Sequence, residues 1–275
     1  MNPYSTEPQS DNQSVASSMA RYSPQVRCGH IGEEAQRKLG ASRVVLFGCG
    51  GLGTVLANAL VRAGVGHLRI CDRDVVELDN LQRQVLFDES DVAANLSKAP
   101  AAATKLAVIN SEVTVEPIVV NVDASNIERL AEGANLLLDG TDNFQTRFLI
   151  NDVSVKTGVP WVYGAVVGST GLMMAVLPRD TPCLRCIFKE IPPPKAAPTA
   201  ATAGVLSPAV NVVASLQVIE VMKLLAGKRG EINRHLVSLD VWTGTFWNIK
   251  VQSTHEEGSC PCCGEGRFEF LAGKT

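Results

Sequence analysis

The chain has 275 residues, 45% hydrophobic and 19% charged, with a net charge of −3, so it can bury a sizeable core. The near-neutral balance gives no electrostatic case for nucleic acid or an anionic membrane. Eight cysteines and no basic-then-apolar leader point to a cytoplasmic protein whose thiols are reduced or on metal.

Residues 1–18 are rich in Ser, Asn, Gln and Pro, which predicts a mobile tail. After Arg21-Tyr22-Ser23-Pro24-Gln25, a short helix is predicted from Ile31 to Leu39, ending at Gly40. Val44–Phe47 is an apolar strand, and Gly48-Cys49-Gly50-Gly51-Leu52-Gly53 turns the chain. A helix from Thr54 to Ala63 closes at Gly64, and a second strand from His67 ends at Asp72. Strand, glycine turn, helix, strand and terminal acid form a nucleotide-binding pattern. Gly48 permits the turn, Gly50 and Gly51 leave room for a phosphate, and Gly53 permits helix-on-strand packing. Asp72 can accept hydrogen bonds from ribose hydroxyls.

The stretch from Asp72 to Gln84 is polar and dense in functional groups. Asn80, Gln82, Arg83 and Gln84 each carry donors suited to phosphate oxygens. Phe87–Ala94 reads as an acidic loop, and Lys98–Ile109 as a helix. Val113–Val120 is a strand, Ile127–Leu130 a helical turn, and Leu136–Leu138 a buried parallel strand. That last strand delivers Asp139 and Asp142 to the carboxyl edge of the sheet. Asp142 or Thr141 could instead cap the next helix, Phe144–Lys156. Strands follow at Trp161–Ala165 and Leu172–Leu177. Neither of the uncharged stretches Val159–Pro178 and Ala196–Ile219 reads as a membrane span.

Two C-x-x-C knuckles, residues 183–186 and 260–263, predict a closed four-thiolate zinc site of Cys183, Cys186, Cys260 and Cys263, with a structural role. Cys262 is left over and is expected to point away; disulfides or free thiols are the alternatives. A loop spans 190–206, proline- and alanine-rich from Ile191 to Ala203, and Ser207 is predicted to cap a helix with Pro208 at its first position, running to Ala226. Leu236–Val251 reads as two strands.

Gly48–Gly53, Asp72, Asn80-Leu81-Gln82-Arg83-Gln84 and Leu138-Asp139-Gly140-Thr141-Asp142-Asn143 together resemble the MoeB/ThiF/HesA family of adenylating enzymes, from about Arg21 to Gly264. The resemblance implies an α/β, Rossmann-like fold with a mixed sheet, C-terminal strands and a structural zinc site, in one domain over residues 19–275. It implies ATP as co-substrate, with Asp74, Asp79 and Asn143 beside it and Asp72 on the ribose. Arg83 and Lys98 would hold phosphates and Asp142 magnesium. The implied reaction activates the C-terminal Gly-Gly carboxylate of a small ubiquitin-like sulfur carrier, similar to MoaD or ThiS, as an acyl-AMP. A separate sulfur donor and a homodimer are expected.

Two positions depart from the family pattern. Pro24 stands where an arginine reaches the partner's site, so Arg21 or Arg27 is expected to replace it. Ala200 stands where many relatives carry a cysteine, so no covalent sulfur link is expected there. The rival readings are adenylation of a peptide or other carboxylate, an NAD-dependent oxidoreductase, and a non-catalytic nucleotide-binding module.

Overall fold

The structure is a computed structural model, and the residues described are 19–193, 200–252 and 260–274. Among the described residues the eight strands are β1 (Arg43–Phe47), β2 (His67–Asp72), β3 (Thr114–Val119), β4 (Leu136–Asp139), β5 (Trp161–Val167), β6 (Thr170–Val176), β7 (Leu236–Asp240) and β8 (Thr245–Ile249). They form one sheet in the order β3-β2-β1-β4-β5-β6-β7-β8. β1 to β5 run parallel, joined by helical crossovers, and β5 to β8 run antiparallel. The change of sense has a local cause: Gly168 and Gly244 sit at positive φ in the β5–β6 and β7–β8 turns. The mixed, Rossmann-like sheet read from the sequence is therefore present.

The central strands are apolar on both faces because both faces are covered. Val44, Leu46, Leu68 and Leu138 pack with the helices Gly51–Ala63, Lys98–Ile109 and Ser207–Leu225. Val45, Phe47 and Leu137 pack on the other side with Ile127–Ala131 and Phe144–Thr157. Ser207–Leu225 is long and apolar enough by length and composition to cross a membrane. Here Val210, Val213, Ala214 and Val221 go into the core instead.

Several local expectations are corrected. The helix after the glycine turn begins at Gly51, so Gly51 and Gly53 lie in its first turn. Residues 89–93 form a helix, not a loop, because Asp88 accepts hydrogen bonds from the Ser90 and Asp91 N–H groups while Asp91 accepts from the Asp88 N–H. Lys105 ties both acids to the next helix. Asn143, not Thr141 or Asp142, caps Phe144–Thr157 by accepting from the Thr146 N–H at 2.9 Å. Ser207 is not the cap of its helix but its first residue: Leu206 is held extended, donating to the Gly168 carbonyl, and the helix starts after it.

The C-terminal residues 260–274 fold back on the Phe144–Thr157 helix. Phe270 stacks on Phe148 at 4.6 Å and donates its N–H to Asp152 Oδ2 at 3.0 Å. Arg185 bonds Glu269 at 2.9 Å. Asp152 Oδ1 is buried without a partner, and burial lifts the Asp152 carboxyl to about 6, against the pull of the Phe270 N–H, Cys262 and Arg185. A carboxyl with a folded-state pKa above its ordinary value of 3.8 favours the folded state most at low pH and loses that contribution as pH rises through about 6. Stability measured by urea unfolding should therefore fall between about pH 4 and pH 6 more steeply in the native chain than in Asp152→Asn.

The glycine turn also makes a stability prediction. A Cβ on Gly53 would lie 2.1 Å from the Gly48 carbonyl oxygen, whereas one on Gly50 would meet nothing nearer than Gln84 Nε2 at 3.9 Å. Gly53→Ala should destabilise the fold by about 2 kcal/mol or more through backbone displacement. Gly50→Ala should cost clearly less, as read by the unfolding midpoints.

Candidate nucleotide-binding site and four-cysteine cluster

The loops after β1, β2 and β4 meet at the carboxyl edge of the sheet, where β1 lies between β2 and β4. Open α/β sheets bind ligands in such crevices. The glycine turn is pressed against the β4 exit: a Cβ on Gly48 would lie 2.7 Å from the Gly140 oxygen. The N-terminus of Gly51–Ala63 thus opens onto the crevice with its first N–H groups unpaired by side chains.

Asp72 ends β2 and braces the turn. Its Oδ2 accepts from the Cys49 N–H at 2.6 Å and its Oδ1 from the Asp74 N–H at 2.7 Å. Burial pushes this carboxyl up while the two N–H groups pull it down.

The following segment is a loop closed at its neck. Val76 N–H reaches the Leu96 carbonyl and Lys98 N–H reaches the Asp74 carbonyl, each at 2.9 Å. Lys98 is 6% exposed and its Nζ lies 3.3 Å from Asp74 Oδ2, so a buried amine stands at the start of its helix. Within the loop, Asn80 is buried and donates to Asp79 Oδ1, which shapes the turn. Arg83 donates to the Asp79 carbonyl at 2.9 Å, and its Cγ would lie 3.6 Å from a Cβ on Gly51. Gln82 is exposed. Gln84 is the amide buried beside Gly50.

The two acids after β4 have different fates. Asp139 is fully buried: Oδ1 accepts from the Thr141 N–H and hydroxyl, and Oδ2 from Arg147 Nε at 3.1 Å. Arg147 also donates to the Thr141 and Gly164 carbonyls and lies over the Phe144 and Tyr163 rings. Gln217 donates to the Asp139 carbonyl at 2.9 Å from the opposite face. Asp142 is exposed and makes no hydrogen bond or ion pair with the described residues. Neither Arg147 nor Gln217 stands in a sequence motif; only the fold brings them to Asp139.

The four predicted cysteine ligands do come together. Their sulfurs all lie within 4.8 Å of one another, with Cys183–Cys260 at 3.7 Å and Cys186–Cys263 at 3.5 Å. A tetrahedral zinc with Zn–S bonds of about 2.3 Å separates its sulfurs by about 3.8 Å, so the cluster fits that metal. None of the eight cysteines is in a disulfide. Cys262 stands outside the four, buried, and accepts from Asn151 Nδ2 at 3.2 Å.

The N-terminal arginines sit at the other end of the sheet within this chain. Arg21 donates to the Ile109 carbonyl, at the far end of the helix that Lys98 begins, and Arg27 donates to Ser23. Ala200 opens the short helix Ala200–Ala203; residues 194–199 of the crossover and residues 1–18 lie outside the described residues.

The contrast between Asp139 and Asp142 is measurable. Asp139→Ala leaves a buried guanidinium unpaired and should destabilise the fold by about 3–5 kcal/mol. Asp142→Ala removes an exposed side chain and should stay within about 0.5 kcal/mol of the native chain in urea unfolding.

A family model described as "ThiF family" matches residues 22–262. A sulfur carrier protein ThiS adenylyltransferase of Bacillus subtilis is 45% identical over 252 residues, covering 92% of this chain and 74% of that protein. A sulfur carrier protein adenylyltransferase of Thermus thermophilus is 37% identical, covering 89% of this chain and 90% of that protein. Among solved structures, E. coli MccB with ATP matches with a TM-score of 0.69 at 24% identity, over 84% of this chain and 68% of that one. PaaA matches with a TM-score of 0.70 at 21% identity, over 91% of this chain and 77% of that one. These two show likeness of fold. The family match over most of the chain and the identity to curated relatives together show that the chain belongs to the ThiF family.

Proposed function

We propose that this chain is an adenylyltransferase that activates the C-terminal carboxylate of a small ubiquitin-like sulfur carrier protein. The observation that carries the reading is the crevice itself: Arg83 on the loop after β2, Lys98 at the start of its helix and the exposed Asp142 carboxylate after β4, around an open helix N-terminus. The 45% identity to a ThiS adenylyltransferase over 92% of the chain supports the carrier as substrate over a free peptide. A nicotinamide-dependent oxidoreductase is disfavoured by the phosphate-directed loop from Asp79 to Gln84.

In this reading a carboxylate oxygen of the carrier attacks the α-phosphorus of ATP. The bond from that phosphorus to the bridging oxygen breaks, and pyrophosphate leaves. No protein nucleophile is needed; positioning and charge neutralisation carry the rate. Asp72 would hold the ribose, with Asn143 close to the nucleotide. Asp74 and Asp79 would keep Lys98 and Asn80 in place, and Asn80, Gln82, Arg83 and Lys98 would meet the phosphates. Asp142 fits magnesium, since its exposed carboxylate makes no hydrogen bond or ion pair with the described residues, and the ion would neutralise phosphate charge. The second copy of a homodimer would bring Arg21 or Arg27 to the crevice, since neither lies there in its own chain. Sulfur would come from a separate donor.

The cysteine cluster would hold one structural zinc, closed to substrate, joining the segment after β6 to the C-terminal residues. Metal analysis of protein purified without added zinc should find one zinc per chain, and chelation should lower the melting temperature because binding is coupled to folding. A metal-free chain of equal stability would remove the assignment.

The function is tested by carrier-dependent ATP–pyrophosphate exchange. Arg83→Ala, Lys98→Ala and Asp142→Ala should each lower it by about two orders of magnitude or more while circular dichroism stays native. Exchange in Asp142→Ala near the native rate would remove the magnesium role. No exchange with any carrier in the native chain would overturn the function.

A further inference from the structure

Asn151 is an amide in the middle of the helix Phe144–Thr157, and it is 0% exposed. Such a group is costly to bury unless both ends of its side chain are paired. Both ends are paired, and both partners belong to the cysteine knuckles. Oδ1 accepts from the Leu184 N–H at 2.8 Å, between Cys183 and Cys186. Nδ2 donates to Cys262 Sγ at 3.2 Å, between Cys260 and Cys263. The Leu184 N–H can only donate, so the carbonyl end of the amide must face it and the nitrogen end must face the sulfur. One side chain therefore spans two segments whose facing cysteines, Cys183 and Cys260, lie 77 residues apart.

The contact also leaves a ligand free. Cys183 is the N-cap of the short helix Leu184–Ile187, a position where the side chain ordinarily takes up one of the first N–H groups. The Cys183 side chain makes no such bond, and Asn151 satisfies the Leu184 N–H in its stead. The Cys183 sulfur stays among the other three, 3.7 Å from Cys260 Sγ. The second knuckle is a turn of its own, with the Gly264 and Glu265 N–H groups both reaching the Cys260 carbonyl at 2.9 Å. Each knuckle is thus locally folded, and what remains to be set is their mutual position. The Arg185–Glu269 pair ties residues beside them, whereas Asn151 ties the knuckles themselves.

We infer that Asn151 is a positioning residue of the four-cysteine site, holding the two knuckles at the spacing that a tetrahedral divalent metal needs. The inference rests on the zinc reading of the cluster and adds to it a residue that touches no metal. Partners that hold ligands from outside raise metal affinity, because less ordering is left for the metal to impose. Cys262 is then not a spare ligand: its sulfur is the acceptor through which Asn151 holds the second knuckle.

The test uses the zinc-loaded full chain, titrated at fixed pH with a chelator of known zinc affinity. Asn151→Leu keeps the size of the side chain and removes both polar ends. Its zinc affinity should be about 10- to 100-fold below native, although all four cysteines remain. Cys262→Ala removes only the acceptor of Nδ2 and should weaken zinc by a smaller factor. Ser154→Ala is the control: it breaks the bond from Ser154 Oγ to the Val159 carbonyl, on the same helix but involving neither knuckle. It should lower the melting temperature and leave zinc affinity native. Native affinity in Asn151→Leu overturns the inference, and so do equal losses in Asn151→Leu and Ser154→Ala, which would mean general destabilisation. If Asn151→Leu does not fold, Cys262→Ala decides, and native zinc affinity there overturns the inference. With cobalt in place of zinc, Cys262→Ala should keep the native thiolate-to-metal absorption; a loss of intensity would make Cys262 a ligand and overturn its role as acceptor. A native chain that takes up no zinc ends the zinc reading and the inference with it, whereas a native chain that binds zinc leaves the inference to the variants alone.

Discussion

Everything at the nucleotide edge depends on three backbones passing within contact of one another. Gly48 leaves β1 at a φ of +90°, Gly53 rides in the first turn of the next helix, and Gly140 leaves β4. A Cβ on Gly140 would lie 2.6 Å from the Gly48 oxygen and 2.9 Å from Gly53 Cα, so no side chain fits in this junction. That closeness brings the loop after β4 up to the helix N-terminus and lets residues far apart in sequence share one crevice. It also explains why the glycines divide by task. Gly48, Gly53 and Gly140 serve packing, while a Cβ on Gly50 would meet only Gln84 Nε2, at 3.9 Å.

The junction is stiffened from beneath by a buried polar network. Asp139, Arg147, Thr141 and Gly164 are joined by hydrogen bonds, with Gln217 reaching in from the helix on the other face. Gln217 itself needs Gly164, where a Cβ would lie 2.4 Å from its amide carbon. Such a network fixes a geometry because each partner is costly to bury alone. The outcome is a division between two acids three residues apart: Asp139 is consumed by the scaffold, and Asp142 stays exposed without a hydrogen bond or ion pair to the described residues.

The other end of the molecule is held by a staple between segments distant in sequence. The four cysteines, the Arg185–Glu269 pair and the Phe148–Phe270 contact anchor residues 260–274 on the face opposite the Ser207–Leu225 helix. The segment is short and has no regular strand or helix of its own. Its order comes from what it is attached to.

Much of this was legible in the amino-acid sequence. Strand and helix periodicity located β1, β2 and β4 and the helices after them, since parallel strands buried on both faces read as continuous apolar runs. The glycine spacing marked the turn, and C-x-x-C spacing marked the four thiolates, because both are local geometric requirements. Helix starts were less legible. Asp88 and Asn143 cap through side-chain bonds with several candidates nearby, and Leu206 marks a start only because its backbone pairs with Gly168. What the tertiary structure alone decided is the allocation of like residues: Asp139 buried and Asp142 free, Gln82 exposed and Gln84 enclosed, Cys262 outside the cluster of its neighbours. Sequence sets which chemical groups are available at an edge. Burial and partner supply, which arise only when distant segments pack, decide which of them are spent on the fold and which remain for a ligand.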